Sequence, residues 1–223
     1  MQFKFQGNVH DFPTSLHDIT LGQRIEFHDM YGREIFEAQE ELRNLESDDK
    51  DADIAEHYLD SACKTFSFFS KIPLEEVYQI PINQVVNVYE NCMKGILGQQ
   101  EDIDLETEFF WREQLWVLGQ PELNYTSAIN FNQFVTSKQI VKAMFDLGHG
   151  QWEVLPSLCA VFLTLEGETF DEKWLVPDSD RAKLMLELPL DIALQVGFFL
   201  KSSMIMFSQA FQSSVEEAEK GQT

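Results

Sequence analysis

The stretch LPLDIALQVGFFL, Leu188 to Leu200, sets nine apolar side chains and a proline beside a single charge. A helix that is apolar nearly all round is not stable facing water, so it belongs in a bilayer, at the centre of a core, or under a partner. A bilayer span takes about twenty apolar residues. Here Asp191 falls in the first turn and Lys201 interrupts the continuing pattern, and the other apolar run, Val154 to Leu165, is too short. Neither stretch reads as a span. Pro189 at the first helical position and Asp191 near the positive end of the helix dipole mark an ordinary helix start, and a helix from Pro189 to about Phe211 is predicted. Such a helix requires either a core or a covering partner.

The rest of the pattern supplies that core. FKFQGNVHDFP alternates apolar and polar residues on both sides of a Gly-Asn pair, predicting a β-hairpin closed by Pro13. Thr20 and Gln23 form a capping box ahead of apolar residues at helical spacing, predicting a helix over roughly 20–46 with Gly32 as its weak point. The acidic run Glu46 to Asp53 reads as a solvated loop rich in helix N-cap candidates. Ile54, Tyr58, Leu59, Ala62, Cys63 and Phe66 then mark an amphipathic helix ending near Lys71. Pro73 and Pro81 stand where helices begin, the second carrying an apolar face up to Gly98.

QQEDIDLETE, Gln99 to Glu108, breaks the periodicity and reads either as a hinge or as an ordered surface loop. The aromatic EFFWREQLWVL after it fits a small β element around Trp111 to Leu118. Beyond it the pattern predicts a helix ending at Gly148, a buried helix from WEVLPSLCAVFLTL ending near Glu166, a short capped helix over DSDRAKLMLEL, and the last long helix. The expected fold is α+β and predominantly α-helical. Its expected divisions are a hairpin plus helical region over 1–98, an acidic and aromatic joint over 99–125, and a helical region over 126–223, which together are also compatible with one compact domain.

Thirty-eight acidic against sixteen basic residues give a formal net charge of -22. That field repels phosphate backbones and anionic lipid heads, so direct nucleic-acid or membrane binding is not expected. It favours solubility first, and it admits a basic partner. Cys63, Cys92 and Cys159 are odd in number and widely spaced, which predicts three buried thiols rather than disulfides or a metal site. MQFKFQGNVHDF has no signal-peptide order.

Catalytic and cofactor chemistry has little to stand on, and no enzyme activity, cofactor or metal is expected. Gly148, His149 and Gly150 lack the strand before and the Lys-Ser/Thr after that a phosphate loop needs, and read as a helix end. Asp146, His149 and Glu153 lack a paired-His geometry. Glu40/Glu41 and Asp48/Asp49 lie in solvated charge runs where neither carboxyl is desolvated. DDKDADIAEH lacks the central glycine and final Glu of a calcium loop. No serine sits in a nucleophile elbow. Phe198, Phe199, Met204, Met206 and Phe207 form an aromatic and thioether cluster with two readings, core packing or an adaptable partner-binding face.

Two segments carry a family likeness. The Phe-rich hairpin followed by SLHDITLGQRIEFHDMYG, and LPSLCAVFLTLEGETFDE followed by RAKLMLELPLDIALQVGFFLK, resemble tail assembly chaperone-type proteins of tailed bacteriophages. Glu166, Gly167, Glu168, Phe170, Asp171 and Glu172 match an acidic EGExFDE turn. Leu188, Pro189, Asp191, Ile192, Ala193, Leu194, Val196, Phe198 and Phe199 match an LPxDIALxVxxFF helix. The resemblance covers about 80 residues and leaves roughly Arg33 to Glu153 outside it; its motifs are structural, not catalytic. It implies a non-enzymatic phage morphogenesis protein that binds tape-measure or tail-tube protein in the host cytoplasm during assembly. The chain's length and aromatic middle depart from smaller members and leave open a tail, baseplate or other virion subunit. The charge alone allows an acidic inhibitor that mimics nucleic acid to a basic host protein. Self-association is open on all three readings.

Overall fold

Strand alternation at the N-terminus does what its period demands. In the computed structural model β1 (Gln2–Phe5) and β2 (Asn8–Asp11) pair antiparallel with Phe5 opposite Asn8. The loop is therefore Gln6–Gly7, one residue earlier than the Gly-Asn pair suggests. Its φ angles of 48° and 84° are the left-handed pair that a two-residue hairpin needs to follow strand twist, and Gly7 takes its share without a Cβ penalty. The hairpin docks by its rings: Phe3 meets Phe66 edge-on at 5.0 Å, and Phe12 lies 4.9 Å from the same ring.

The structure describes residues 1–44, 50–94, 105–118, 131–146, 151–168, 170–176 and 179–201. They fall in two compact units, Met1–Glu101 and Asp102–Thr223. Both are mainly helical with a small antiparallel sheet, an α+β arrangement.

In the first unit the capping box forms as its sequence dictates. The Gln23 N–H donates to Thr20 Oγ1 at 3.1 Å and the Thr20 N–H to Gln23 Oε1 at 2.9 Å, starting α1 (Leu21–Phe27). Gly32 does not end the helix. A π turn, His28–Gly32, carries it into α2 (Arg33–Asn44), and the extra residue of such a turn shifts the apolar stripe around the axis. A Cβ at position 32 would lie 2.9 Å from His28 Nδ1, so this turn favours glycine.

The acidic loop expected over 46–53 is corrected at its end, because α3 (Lys50–Ser70) already includes Lys50 to Asp53. Asp51 and Asp53 sit in its first turn, where carboxylates interact favourably with the dipole, so a charge run read as loop serves as a helix start. Residues 46–49 lie outside the described ones. The helix stops where Lys71 takes φ 61°. Pro73 and Pro81 are the caps of α4 (Leu74–Val77) and α5 (Ile82–Val88), and α5 runs on through a second π turn, Tyr89–Met93. Gly98 is outside the described residues. Leu21, Phe27, Phe66, Val77, Val85 and Met93 are buried in this core.

In the second unit β3 (Glu108–Trp111) and β4 (Gln114–Leu118) form a hairpin around Arg112 and Glu113, with φ 52° and 61°. The β element thus begins at Glu108, three residues before the expected Trp111. The Leu118 N–H bonds the Thr107 carbonyl at 2.8 Å, so the last residues of the supposed hinge belong to the sheet, while Gln99 to Asp104 lie outside the described residues. Next comes α6 (Phe131–Asp146); its expected end at Gly148 is likewise outside. The buried helix α7 spans Gln151–Phe162 and does not reach Glu166. Leu163–Leu165 leave it as β5, pairing Leu118↔Leu163 and Trp116↔Leu165. Apolar periodicity does not distinguish these residues from helix; the free edge of β4 does, because it satisfies their backbone.

Ser179 caps α8 (Asp180–Leu186), accepting from the Ala182 N–H at 3.1 Å. The final helix, α9, is described over 190–201; its expected extent to Phe211 is not among the described residues. Leu190, Val196 and Phe199 are buried, and a Cβ on Gly197 would meet Leu155 of α7 at 3.7 Å. Among the described residues no helix is long and apolar enough to cross a membrane. Cys63, Cys92 and Cys159 are all free and buried, as their spacing predicts.

Candidate functional site

The apolar C-terminal cluster lies on α9. Phe199 is 3 % exposed with its ring 6.1 Å from that of Phe162 in α7. Phe198, one residue earlier and so about 100° around the helix, is half-buried. Met204, Met206 and Phe207 lie outside the described residues. The two phenylalanines thus have different surroundings, one in the core and one at its margin.

The acidic turn quoted for the family likeness is built around Arg181. Gly167 takes φ 79°, turning the chain back after β5. Glu168 then accepts both the Leu165 N–H and Arg181 Nη2, each at 3.0 Å. Arg181 also donates to the Leu163 carbonyl at 2.7 Å, and its guanidinium lies 4.6 Å from the Trp116 ring and 4.3 Å from that of Trp174. Trp174 is held by a short 3-10 turn, Glu172–Leu175, capped by Asp171, which accepts the Lys173 N–H at 3.0 Å. Burial lowers the Arg181 pKa, opposed by Glu168, yet an arginine stays charged at neutral pH. Glu168 and Asp171 therefore order a fold element. Nothing local in the sequence marks Arg181, because its two tryptophans are 65 and 7 residues away along the chain.

The first unit holds an open groove of about 550 Å³ between α2 and α3. Ile35, Leu42, Ile54, Tyr58 and Tyr89 supply its apolar lining, with Arg43, Lys50 and His57 among the polar groups and the buried Ser61 in its wall. Its origin is local. Ile35, Ala38 and Leu42 recur at helical spacing toward α3, yet α2 has no buried residue, so the two helices leave apolar side chains half-covered.

A polar clamp fixes the same helix pair. Lys64, whose side chain is 8 % exposed, reaches Asp60 at 2.7 Å and Glu34 at 2.8 Å. Burial by itself would lower its pKa; the hydrogen bonds its ammonium donates to the two carboxylates, and their charge, outweigh that and hold it raised. Tyr58 stacks edge-on to Tyr89 at 5.5 Å and donates to Glu90, which also pairs with Lys94 at 3.1 Å. Desolvation, then the Glu90 carboxylate, pushes the Tyr58 pKa up to about 12. In the sequence this groove is legible only as the amphipathic pattern of 33–44.

Among the described residues no three His, Cys, Asp or Glu side chains converge as a metal site. Asp146 and Glu153 are described, His149 and Gly148 are not. Glu40 pairs with Arg43 on the surface. Complete burial pushes the Cys159 thiol far up, away from the reactive thiolate. Comparison of the chain with protein-family models, curated proteins and solved structures finds no match.

Proposed function

We propose that this chain is a non-enzymatic phage morphogenesis protein of the tail-assembly-chaperone type, holding tape-measure or tail-tube protein in the host cytoplasm during assembly. The family likeness of its two terminal segments motivates the reading, and the α2–α3 groove is the observation that carries it. A groove of about 550 Å³ accommodates a few apolar side chains from one face of an amphipathic client helix. The net charge of -22 keeps a loaded complex soluble.

The test is co-expression with a tape-measure protein encoded beside this chain. Soluble client should rise with the chain present and fall back with Leu42→Glu or Ile54→Glu, which place a carboxylate in the groove. Equal client solubility with and without the chain sinks the proposal. Mass spectrometry of purified particles separates the virion-subunit version, which requires fixed stoichiometry there.

A further inference from the structure

The two edges of the three-stranded sheet are finished differently. At β5 the outward carbonyl of Leu163 is taken by Arg181 at 2.7 Å and the outward N–H of Leu165 by Glu168 at 3.0 Å. That edge is closed by side chains. At β3 the two-residue turn makes Trp111 and Gln114 a hydrogen-bonded pair, and such pairs alternate along an antiparallel ladder. Phe109 with Trp116 and Thr107 with Leu118 follow, the last confirmed by the 2.8 Å bond between them. The N–H and C=O of Glu108 and Phe110 therefore point away from β4.

Phe110 also turns its side chain outward and is 75 % exposed, more than any other large apolar residue described. Leu115 opposite it and Val117 are half-exposed on the same sheet face. Glu106, Glu108 and Glu113 are exposed around this edge. Arg112, the adjacent cation, is engaged with Glu187 and lies over Trp111 at 5.2 Å. A backbone edge that no described strand pairs, a largely exposed ring and surplus acid define one kind of complement.

We propose that the open edge of β3 takes up a basic extended segment of a partner protein by strand addition. The segment's backbone pairs with Glu108 and Phe110. One apolar side chain covers Phe110, and a Lys or Arg two positions away, on the same face, meets Glu108. A second copy of this chain is the poorer occupant, because it would set the same acids against each other. The site is independent of the α2–α3 groove and stands whether or not the groove binds a helix.

The probe is a fluorescein-labelled peptide, KTKTVTKT with blocked ends, followed by anisotropy. Binding should be saturable, weaken with added salt, and weaken at least about tenfold in Phe110→Pro. That variant removes the outward N–H and the ring while leaving every β3–β4 bond, since proline is tolerated where an edge N–H faces solvent. Phe110→Lys replaces it should the proline variant melt early. Equal binding by these variants, or by a peptide of equal charge with prolines flanking its valine, overturns the proposal. So does loss of binding in Leu42→Glu, which would place the peptide in the groove. Sedimentation velocity without peptide supplies the last outcome: a dimer that Phe110→Lys dissociates assigns the edge to a second copy instead.

Discussion

Replacing Arg181 by alanine removes one side chain from four contacts at once. The charged hydrogen bond to the Leu163 carbonyl accounts for about 1.5–3 kcal/mol. The two tryptophan faces, at 4.6 Å and 4.3 Å, add at least about 0.5–1 kcal/mol each. Glu168 keeps its bond from the Leu165 N–H and is 29 % exposed, so its unpaired charge is partly hydrated and adds little more. The total, about 3–5 kcal/mol, matches what removal of one partner from a buried ion pair costs. All four tryptophans, Trp111, Trp116, Trp152 and Trp174, lie in the second unit, so urea unfolding followed by tryptophan fluorescence reads this unit selectively. With a slope of about 1.5 kcal/mol per molar urea, the midpoint should fall by about 2–3 M. The double variant Arg181→Met with Glu168→Gln should recover part of that loss, because the methionine side chain refills the space against the two tryptophan rings and no charge is left unpaired. A fall below about 0.5 M for Arg181→Ala would mean less than about 1 kcal/mol and would refute the clamp as a stabilising element.

Three further outcomes follow from the same structure. Phe199→Ala should cost about 3–5 kcal/mol in the tryptophan-detected melt, as a buried phenylalanine does; lost client binding with an unchanged melt would make it a binding face. Thr20→Ala removes one half of the capping box and should cost about 1 kcal/mol, read by tyrosine circular dichroism of the first unit; no loss would show the cap to be replaceable by water. Tyr58, held up to about 12, and Tyr78 and Tyr89, also raised by burial first and carboxylate neighbours second, have folded pKa values above the unfolded value of about 10. Their contribution to stability is complete below that pH and is lost as pH rises toward about 12. Tyrosinate absorbance should therefore lag in native protein relative to protein in urea, and coincident titrations would contradict the packing around Tyr58.

Much of the fold was legible because its signals are short-range. The Thr20–Gln23 box, the N-terminal alternation and the prolines ahead of α4 and α5 each act within a few residues, and each does in the structure what its chemistry requires. The misreadings share a cause as well. Lys50 to Asp53 carry the charge of a loop and the dipole preference of a helix start, and Leu163 to Leu165 carry an apolar pattern that serves helix and strand equally. In both cases the deciding interaction lies outside the local window.

The candidate sites divide the same way. That an apolar helix begins near Pro189 is a property of the sequence, because proline, aspartate and the lack of charge act within that helix. Which of its faces is covered is not, and only the packing of Phe199 against Phe162 placed it in the core. The acidic EGExFDE turn could be quoted from the chain, but its purpose waited for Arg181 to arrive between Trp116 and Trp174. The groove and the outer edge of β3 depend on distant neighbours: α3 leaves α2 without a buried residue, and β5 pairs with β4 rather than with β3. Local chemistry determined where most elements begin and end; contacts between residues far apart in the chain decided which of their faces are buried and which are exposed.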